Sequence, residues 1–351
     1  MADLRVDLAG LALENPLVLA SGPLSWNGDA IVRAHRAGAS AIVTKTIRRA
    51  AARSPRPHIV TVPHGVLNTE RWSDLESSQW IDREIPRAKD GGATVIASLG
   101  LAVDDVVALA EGLERAGADA LEVVSYDEAV LPNMVRAAVE RVRIPVFAKL
   151  GVNGRDLAGT ARRCVESGAS AITAIDSVGP TLRVDLERRR PVLGADSAWW
   201  SGPAILPIAL HAVHVVHGAV AVPVVGTGGV TDGDATIEML FAGASAVGLC
   251  SAPLVEGLGV FVRIRDRMAQ RLDELGIASV RDAIGAMERE IAAGFAMVLD
   301  DAACTRCGAC VRVCPYGARR DPAVVEAACR GCGLCVSICP AGALSWKRGE
   351  R

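Results

Sequence analysis

The chain of 351 residues has no marked excess of charge, because 38 lysines and arginines nearly balance 40 aspartates and glutamates. Its net charge of −2 argues against a surface that binds nucleic acid or an anionic membrane. The sequence also has no apolar run of transmembrane length, and its first residues, MADLRVDLAG, do not resemble a signal peptide. We therefore expect no nucleic-acid partner and no membrane segment.

Cysteine is almost absent from the first 300 residues, which contain only Cys164 and Cys250. The other eight of the ten cysteines form two runs near the C-terminus, each with the spacing C-x2-C-x2-C-x3-C-P. The first run is Cys304, Cys307, Cys310 and Cys314, and the second is Cys329, Cys332, Cys335 and Cys339. Disulfides or a zinc site are the alternatives, but the doubled spacing is typical of two [4Fe–4S] clusters.

In such a domain the fourth cysteine of each run binds the cluster of the other run. The sequence thus predicts one cluster on Cys304, Cys307, Cys310 and Cys339, and another on Cys329, Cys332, Cys335 and Cys314. Clusters of this kind transfer single electrons and need reduced cysteines. We therefore expect an electron-transfer function and a cytoplasmic location.

From residue 17 to about residue 250, short apolar runs alternate with amphipathic helical stretches. The runs mostly lack polar alternation, as expected of parallel strands that are buried on both faces. Eight of them are Leu17–Ser21, Ala41–Thr44, Thr94–Leu99, Ala120–Val124, Val146–Leu150, Ala171–Ile175, Pro223–Gly226 and Ala246–Cys250. Eight β/α units in one block predict an α/β fold with a TIM (β/α)8 barrel, and a doubly wound sheet is the alternative.

The pattern divides the chain into a barrel at residues 1–275, a linker at 276–300 and a small bacterial-type 2[4Fe–4S] ferredoxin-like domain at 301–351. Two connections inside the barrel are too long for simple turns, Ile47–Leu67 and Asp176–Ser201. Both follow the carboxyl ends of strands, where the active sites of barrels form. They are therefore either lids over a site or surface decoration.

Glycines and lysines stand at the ends of several predicted strands. The segments Gly226–Gly229 and Gly248–Ala252 fit the phosphate site of a barrel, with a pair of tight turns as the alternative. Lys45 and Lys149 each end an apolar strand, so each buried ammonium needs an anionic or polar partner. Two such lysines beside a phosphate site indicate a flavin, which gains negative charge when it is reduced.

Six short segments carry a more specific resemblance. They are ASG at 20–22, TKT at 44–46, LNTE at 67–70, FAKL at 147–150, SGPAILPIA at 201–209 and GTGG at 226–229. These segments resemble the FMN domain of the dihydroorotate and dihydropyrimidine dehydrogenase family. The order of an FMN barrel followed by a two-cluster domain is most similar to the dihydropyrimidine dehydrogenase branch of that family.

The resemblance implies one FMN, two [4Fe–4S] clusters and a homodimer in which the cluster domain of each chain serves the FMN of the other. The alternative is a monomer whose cluster domain serves its own barrel. The residues implied to bind FMN are Ala20, Ser21, Lys45, Asn68, Lys149, Thr173, Gly202, Gly228, Gly229, Cys250 and Ser251. Because the sequence has no dinucleotide-binding Gly-x-Gly-x-x-Gly fold, the expected electron partner is external. It is either a ferredoxin or an NAD(P)H-dependent flavoprotein reductase.

The sequence departs from the family in the loop after the fourth strand. There the family has an asparagine, a serine and a catalytic cysteine, followed by a glycine-rich lid. An ungapped alignment places Val124, Tyr126 and Asp127 at these three positions, and the lid is missing. The segment Ala174–Ser177 also stands in place of an asparagine–threonine pair that grips a pyrimidine.

Tyr126 and Asp127 are therefore the candidate proton donors, with Lys45 as a third catalytic candidate beside the flavin. A tyrosine stays protonated at neutral pH, whereas an aspartate needs burial to raise its pKa before it can donate. The alternative is that both residues only cap the helix that follows.

We expect an oxidoreductase that reduces, or forms, a C=C or C=N bond of a small conjugated substrate, with electrons relayed through the two clusters. The rival hypothesis is a non-catalytic flavin and iron–sulfur electron-transfer subunit of a larger complex. The lost cysteine loop favours this rival, and the retained Lys45 opposes it. Dihydroorotate, uracil and thymine are expected to be poor substrates.

Overall fold

The computed structural model describes residues 2–154, 156–288, 295–323, 325 and 327–348. The chain divides into two compact units, Met1–Met287 and Glu288–Arg351. Among the residues described, none of the helices is both long and apolar enough to cross a membrane.

Eight parallel strands of the first unit pair in chain order and close into a barrel, which confirms the predicted TIM fold. They are β1 (Leu17–Leu19), β2 (Ala41–Val43), β3 (Val95–Gly100), β4 (Ala120–Val124), β5 (Val146–Leu150), β6 (Ala171–Ala174), β7 (Val224–Thr227) and β8 (Ala246–Leu249). Every residue of β3, β4 and β5 is buried, because the barrel interior covers one face of each strand and helices cover the other.

Helices surround the barrel and bury one side each. Val103–Arg115, for example, buries Val106, Leu109 and Leu113, which recur at helical spacing. The α-helices of this unit are Gly28–Arg36, Ser77–Gln79, Ile85–Asp90, Val103–Arg115, Leu131–Val139, Leu157–Glu166, Leu206–His217, Gly233–Ala242, Ser251–Glu256, Val260–Glu274 and Val280–Ala283. Short 3-10 turns occur at Pro23–Ser25 and Pro203–Ile205, and a π-helical turn occurs at Trp80–Glu84.

An apolar layer closes the amino end of the barrel. The antiparallel hairpin of Val6–Leu8 and Leu11–Leu13 contributes side chains that pack against Phe147 and Val225 in the barrel interior. The carboxyl end of the barrel has no such plug among the described residues and opens into a cavity. The fold therefore leaves one face of the barrel for a ligand.

The two long connections predicted from the sequence form a single element. Their strands Val178–Thr181, Ala198–Ser201, Gly65–Asn68 and Ile59–Val62 pair in that order as an antiparallel sheet. Within this sheet Trp199 pairs with Asn68, which joins the connection after β6 to the connection after β2. A small hairpin of Val184–Asp185 and Arg190–Pro191 lies within the connection after β6.

The segment predicted as a linker, residues 276–300, contains a short helix and a strand. Its first part forms the helix Val280–Ala283, and the backbone N–H of Val280 donates to the carbonyl of Asp3 at 2.9 Å. This bond ties the helix to the barrel unit, whose boundary lies at residue 287. The last part forms the strand Phe295–Leu299, which pairs with Leu344–Arg348 in the second unit. Residues 289–294 lie outside the described part of the chain.

The second unit repeats one small arrangement twice. Each cysteine run contains one short helix, Ala309–Arg312 in the first run and Leu334–Ser337 in the second. The strand pair of Phe295–Leu299 and Leu344–Arg348 completes the unit. This doubling follows the doubled cysteine spacing of the sequence.

Candidate functional site

A cavity of about 400 Å3 lies at the carboxyl ends of the barrel strands. Its lining includes residues at or just after the ends of all eight barrel strands, together with residues of the added sheet. Of the predicted FMN residues, nine line it: Ala20, Ser21, Lys45, Asn68, Lys149, Gly228, Gly229, Cys250 and Ser251. The structure thus brings together residues that are up to about 230 positions apart in the sequence.

Two of the predicted FMN residues, Thr173 and Gly202, do not line the cavity. Thr173 is 3% exposed, and its hydroxyl donates to Oε2 of Glu122 at 2.8 Å inside the barrel. Gly202 has φ 106, and a Cβ there would lie 2.6 Å from the Cα of Gly65. Gly202 therefore permits the close approach of two backbone segments, and its neighbour Ser201 reaches the cavity instead.

The turn after β7 is shaped by glycine. Gly229 has φ 82, and a Cβ at this position would lie 2.5 Å from the backbone nitrogen of Leu206. Only glycine fits both this left-handed conformation and this contact, so the turn packs against the start of the helix Leu206–His217. Its backbone faces the cavity without an intervening side chain, as a phosphate site requires.

Both predicted lysines are buried and paired with carboxylates. Lys45 is 5% exposed, and its Nζ lies 2.5 Å from Oε2 of Glu70. Lys149 is 7% exposed, and its Nζ lies 3.4 Å from Oδ1 of Asp176. Each ammonium therefore has the anionic partner that its burial demands. Both carboxylates line the same cavity as the lysines.

A third carboxyl group lies deeper in the barrel. Glu122 on β4 is 2% exposed, and its Oε1 has no hydrogen-bond partner among the described residues. Burial raises the pKa of Glu122, and the charge of Lys149 and the hydrogen bond from Thr173 offset only part of this effect. Burial also disfavours the charged form of Lys149, but Asp176 and Glu122 together outweigh it and raise the pKa of that ammonium.

The structure separates the two candidate proton donors. Tyr126 lines the cavity, and its ring centroid lies 5.5 Å from that of Trp199. Tyr126 is 61% exposed, yet desolvation and the nearby Asp176 carboxylate raise the pKa of Tyr126 to about 12. Tyr126 is therefore a protonated group at the cavity.

Asp127 does not line the cavity. Its Oδ1 accepts a hydrogen bond from the backbone N–H of Ala129 at 2.9 Å, and its carbonyl accepts one from Leu131 at 3.3 Å. These contacts form a turn that precedes the helix Leu131–Val139. The N-cap residue of that helix is Val130, and no side chain caps it, so Asp127 is not the cap of this helix.

Two tryptophans also line the cavity, Trp199 from the connection Asp176–Ser201 and Trp72 from the segment that follows the connection Ile47–Leu67. The guanidinium of Arg48 lies 4.6 Å from the centre of the Trp72 ring, and its Nε donates to Oδ2 of Asp105 at 2.9 Å. Asp105 is 1% exposed, so this chain of contacts fixes Trp72 to the barrel. The long connections are thus walls of the cavity and not only surface decoration.

Cys250 lies on the side of the cavity formed by β1 and β8. Its Sγ is 3.8 Å from the carbonyl of Ser21, and a Cβ on Gly22 would lie 2.8 Å from that sulfur. Burial raises the pKa of Cys250, so it is a neutral thiol that packs against the neighbouring turn.

Sequence reasoning did not identify several of these groups. Glu70, Glu122, Asp176 and Trp72 were not assigned roles, although each lies within or beside a segment that was. A usable signal was present for Glu122, because it is the one charged residue in the apolar run Ala120–Val124. A charge in a buried strand points to an interior polar contact.

In the second unit the cysteines border two separate small cavities. One is lined by Cys304, Cys307, Cys310 and Cys339, and the other by Cys314, Cys329, Cys332 and Cys335. Each cavity thus receives three cysteines from one run and the fourth from the other. All ten cysteines of the chain lie within the described residues and are free thiols. A backbone hydrogen bond from Ala309 lowers the pKa of Cys307, which favours the thiolate that binds iron. These donor sets fit two cubane clusters.

Comparison with known proteins agrees with this division. A family model for dihydroorotate dehydrogenase matches residues 3–272, and a model for a 4Fe-4S dicluster domain matches residues 296–340. The first match covers most of the barrel unit, and the second contains both cysteine runs.

Individual relatives point to the same family. The chain is 30% identical over 302 residues to the catalytic subunit of dihydroorotate dehydrogenase B (NAD(+)) from Pyrococcus furiosus, which covers 82% of this chain and 99% of that protein. It is 32% identical over 296 residues to the subunit from Pyrococcus horikoshii, covering 80% of this chain and 97% of that protein. It is 33% identical over 300 residues to the subunit from Desulforudis audaxviator, covering 81% and 97%. The chain therefore belongs to the dihydroorotate dehydrogenase family and is an oxidoreductase.

Proposed function

We propose that this chain is an FMN and iron–sulfur oxidoreductase that reduces, or in the reverse direction forms, a C=C or C=N bond of a small conjugated molecule. One observation carries the proposal: a single cavity at the strand ends is lined by the buried Lys45, the buried Lys149 and the Gly228–Gly229 turn. Membership of the dihydroorotate dehydrogenase family supports the same chemistry.

The residues present fit FMN. Gly228, Gly229 and Ser251 would hold its phosphate, and Lys45 and Lys149 would hold its ring system. FMN, when bound, supplies hydride chemistry and exchanges electrons with one-electron carriers. The two ammonium groups would offset the negative charge that a reduced flavin carries, and their burial strengthens this effect.

Tyr126 is the proton donor that the cavity supports best. A reduction of a C=C bond needs a proton on the carbon next to the one that receives hydride. Tyr126 borders the cavity and, with a pKa of about 12, keeps its proton throughout the neutral range. The reverse reaction would need a base at the same place, and the nearby Asp176 carboxylate is available to accept the proton.

The cavity favours a planar substrate that donates hydrogen bonds or carries positive charge. Glu70 and Asp176 present carboxylates to it, and Trp72, Trp199 and Tyr126 present aromatic rings. Aromatic faces and carboxylates attract planar cations and N–H groups, and the carboxylates repel a substrate that itself carries a carboxylate. We therefore propose that the substrate is not the carboxylate-bearing pyrimidine after which the relatives are named.

We propose that the two cysteine-lined cavities each hold one [4Fe–4S] cluster, on the crossed sets of ligands. Such clusters pass electrons singly. The electron partner would be external, a ferredoxin or an NAD(P)H-dependent flavoprotein reductase. The relatives are named as catalytic subunits, which supports a partner of this kind. We also propose that the chain forms a homodimer.

The rival function is a non-catalytic electron-transfer subunit, and the replacement of the family's cysteine loop by Val124, Tyr126 and Asp127 favours it. Anaerobic mixing separates the two functions. The purified protein should contain one FMN and about eight irons per chain. After reduction, its flavin should be reoxidised rapidly by a planar, conjugated N-heterocycle or iminium compound. Reoxidation only by a ferredoxin, with none by a broad panel of such compounds, would support the electron-transfer subunit.

The same experiment tests the substrate class. Dihydroorotate, dihydrouracil and dihydrothymine should reduce the oxidised flavin slowly, and uracil and thymine should reoxidise it slowly, because the cavity lacks the family's cysteine and lid. Robust turnover of any of these pyrimidines would show that the loop after β4 does not change the substrate. The FMN and iron contents would still test the proposed cofactors in that case.

A further inference from the structure

The two cysteine runs are sequence repeats that differ at one buried position. The first run ends Cys314-Pro-Tyr-Gly-Ala-Arg319, and the second ends Cys339-Pro-Ala-Gly-Ala-Leu344. Arg319 and Leu344 therefore occupy equivalent places, five residues after the last cysteine of their runs. They are 5% and 4% exposed, so both side chains lie inside the unit.

Each of these residues lines the cavity that contains the last cysteine of its own run. Arg319 borders the cavity of Cys314, Cys329, Cys332 and Cys335, which we name the arginine cavity. Leu344 borders the cavity of Cys304, Cys307, Cys310 and Cys339, which we name the leucine cavity. The repeat thus places an arginine beside one set of four cysteines and a leucine beside the other.

The guanidinium of Arg319 is held against the arginine cavity by uncharged groups. Its Nη2 lies 3.0 Å from Sδ of Met297, and its Nη1 donates to the carbonyl of Pro322. The same Met297 sulfur lies 3.3 Å from Sγ of Cys335. These contacts fix the position of the guanidinium without neutralising its positive charge.

The surroundings of the leucine cavity differ in charge. Apart from its cysteines, the described residues that line it have no ionisable side chain. Arg312 donates to the carbonyl of Cys307 at 2.9 Å, but its side chain is exposed and does not line the cavity. Water therefore screens the charge of Arg312 far more than that of the buried Arg319.

A cluster held by four thiolates is anionic, and its reduction adds a further negative charge. A buried positive charge nearby stabilises the reduced form more than the oxidised form, because the attraction grows with the charge of the cluster. Net charge, hydrogen bonding and solvent exposure are the factors that set cluster potentials. Two arginines line the arginine cavity, the buried Arg319 and the exposed Arg330, and none lines the leucine cavity. Arg319 is therefore the one buried charge that distinguishes the two linings.

We propose that Arg319 makes the two sites unequal, so that the cluster of the arginine cavity has the higher reduction potential. This inference rests on the proposed occupation of both cavities by [4Fe–4S] clusters. The arginine cavity is then the site at which a single electron resides, and the cluster of the leucine cavity is the stronger reductant. Arg319 acts on the cluster through its charge and is not a ligand.

The test is an anaerobic redox titration of the intact protein, followed by EPR of the reduced clusters. The wild-type protein should show two separate midpoint potentials. Arg319→Gln should lower the higher potential and leave the lower one unchanged, whereas Arg319→Lys, which keeps the charge, should retain most of the separation. Arg320→Gln is the matched control, because it removes the same charge from an exposed neighbour. It should change both potentials little.

Leu344→Lys provides the converse test, because it adds a charge beside the leucine cavity and should raise the lower potential. Equal potentials in the wild-type protein would overturn the proposal, as would an Arg319→Gln titration identical to that of the wild type. If Arg319→Gln loses one cluster, Arg319→Leu and Arg319→Lys decide instead. A titration of Arg319→Leu identical to that of the wild type would overturn a role for the charge. So would a higher midpoint potential in Arg319→Lys that has fallen to that of the wild-type leucine cavity. An iron content near four per chain would instead contradict the proposed two clusters.

Discussion

The Nζ of Lys149 lies 3.4 Å from Oδ1 of Asp176, across the neighbouring ends of β5 and β6. Both side chains line the cavity, and the ammonium is 7% exposed. The carboxylate therefore balances the ammonium before any ligand binds. A ligand that gains negative charge would compete with Asp176 for Lys149, whereas a cationic ligand would compete with Lys149 for Asp176.

Lys149→Ala should weaken FMN binding about tenfold or more, which corresponds to about 1.4 kcal/mol, and should lower the flavin potential. The change removes a buried positive charge and leaves Asp176 beside the flavin without its partner. Binding can be measured by titrating the apoprotein with FMN, and the potential by dye equilibration. Lys89→Ala is a matched control, because Lys89 pairs with Asp119 outside the cavity. Unchanged affinity and potential in Lys149→Ala would exclude Lys149 from the flavin site.

Tyr126→Phe should slow substrate reduction by about 10²- to 10⁴-fold without changing the FMN content, because it removes the proton but keeps the ring. Asp127→Asn should have little effect on the rate, since the Asp127 side chain bonds to the backbone of Ala129 in a turn and does not line the cavity. Stopped-flow measurement of flavin reoxidation distinguishes these outcomes. If Asp127→Asn were the slower variant, Asp127 and not Tyr126 would be the proton donor.

The raised pKa of Tyr126 also predicts a pH profile. A donor whose pKa is about 12 is protonated at all lower pH values. Proton donation should therefore be constant from about pH 6 to about pH 10 and should fall only as the pH approaches the pKa of the tyrosine. The rate of reoxidation at saturating substrate is the quantity to follow. A decline centred near neutral pH would indicate a donor other than Tyr126.

Glu122→Gln should change how stability depends on pH. Burial raises the pKa of Glu122 in the folded protein above its usual value of 4.5, so the folded state holds its proton more tightly than the unfolded state. The stability that this proton contributes is complete below the unfolded pKa and is lost as the pH rises through the folded pKa, by at most about 1.4 kcal/mol per pH unit. The glutamine of Glu122→Gln has no titratable proton, so this variant should not lose stability in this way as the pH rises.

Urea unfolding of the apoprotein at pH values from about 5 to about 9, followed by tryptophan fluorescence, measures this difference. The free energy of unfolding of Glu122→Gln should rise relative to that of the wild type as the pH increases. Glu166→Gln, on the helix Leu157–Glu166, is a control that should run parallel to the wild type. If the free energies of unfolding of Glu122→Gln and the wild type differ by the same amount at every pH, the pKa of Glu122 does not change on folding.

The barrel could be predicted from the sequence because parallel strands that are buried on both faces leave a local signal. β4 and β5 have the bounds that the sequence indicates, Ala120–Val124 and Val146–Leu150. The spacing of the cysteines also predicts their crossed grouping, and the four cysteines of each predicted set line one cavity. Lys45 and Lys149 were found for a similar reason, since a lysine that ends an apolar run is unusual.

The partners of these lysines could not be predicted from the sequence in the same way. Glu70, the partner of Lys45, follows the strand Gly65–Asn68 of the added antiparallel sheet, whose strands come from two connections more than 100 residues apart. Pairings of that range leave no periodic signal in one sequence. The contact of Thr173 with Glu122 inside the barrel is likewise not evident from the sequence, which shows only that Thr173 lies near the end of β6.

Cys314→Ser should damage the cluster that is otherwise bound by Cys329, Cys332 and Cys335, because these four cysteines line one cavity. Iron should fall from about eight toward four per chain, and the EPR signal of the other cluster should remain. Cys164→Ser is the matched control, because Cys164 is buried on a barrel helix. It should keep the full iron content. Loss of the signal that belongs to Cys304, Cys307 and Cys310 instead would contradict the crossed arrangement.

The last prediction concerns the proposed homodimer, in which the clusters of one chain serve the FMN of the other. Gly229→Ala should disable the flavin site of one chain, since a Cβ there would lie 2.5 Å from the backbone nitrogen of Leu206. Cys310→Ala and Cys335→Ala together should disable both clusters of a second chain. Each chain alone should be inactive in cluster-dependent reduction of substrate. Co-expression with two different affinity tags allows the mixed dimer to be isolated.

A mixed dimer has one intact flavin site and, on the other chain, one intact pair of cluster sites. If electrons cross between chains, it should recover about half of the wild-type activity per dimer, because one of its two flavin sites is served. If electrons stay within one chain, the intact flavin site has no intact clusters beside it and activity should not recover. A purified mixed dimer with full FMN in one chain, full iron in the other and no activity would therefore exclude the crossed arrangement.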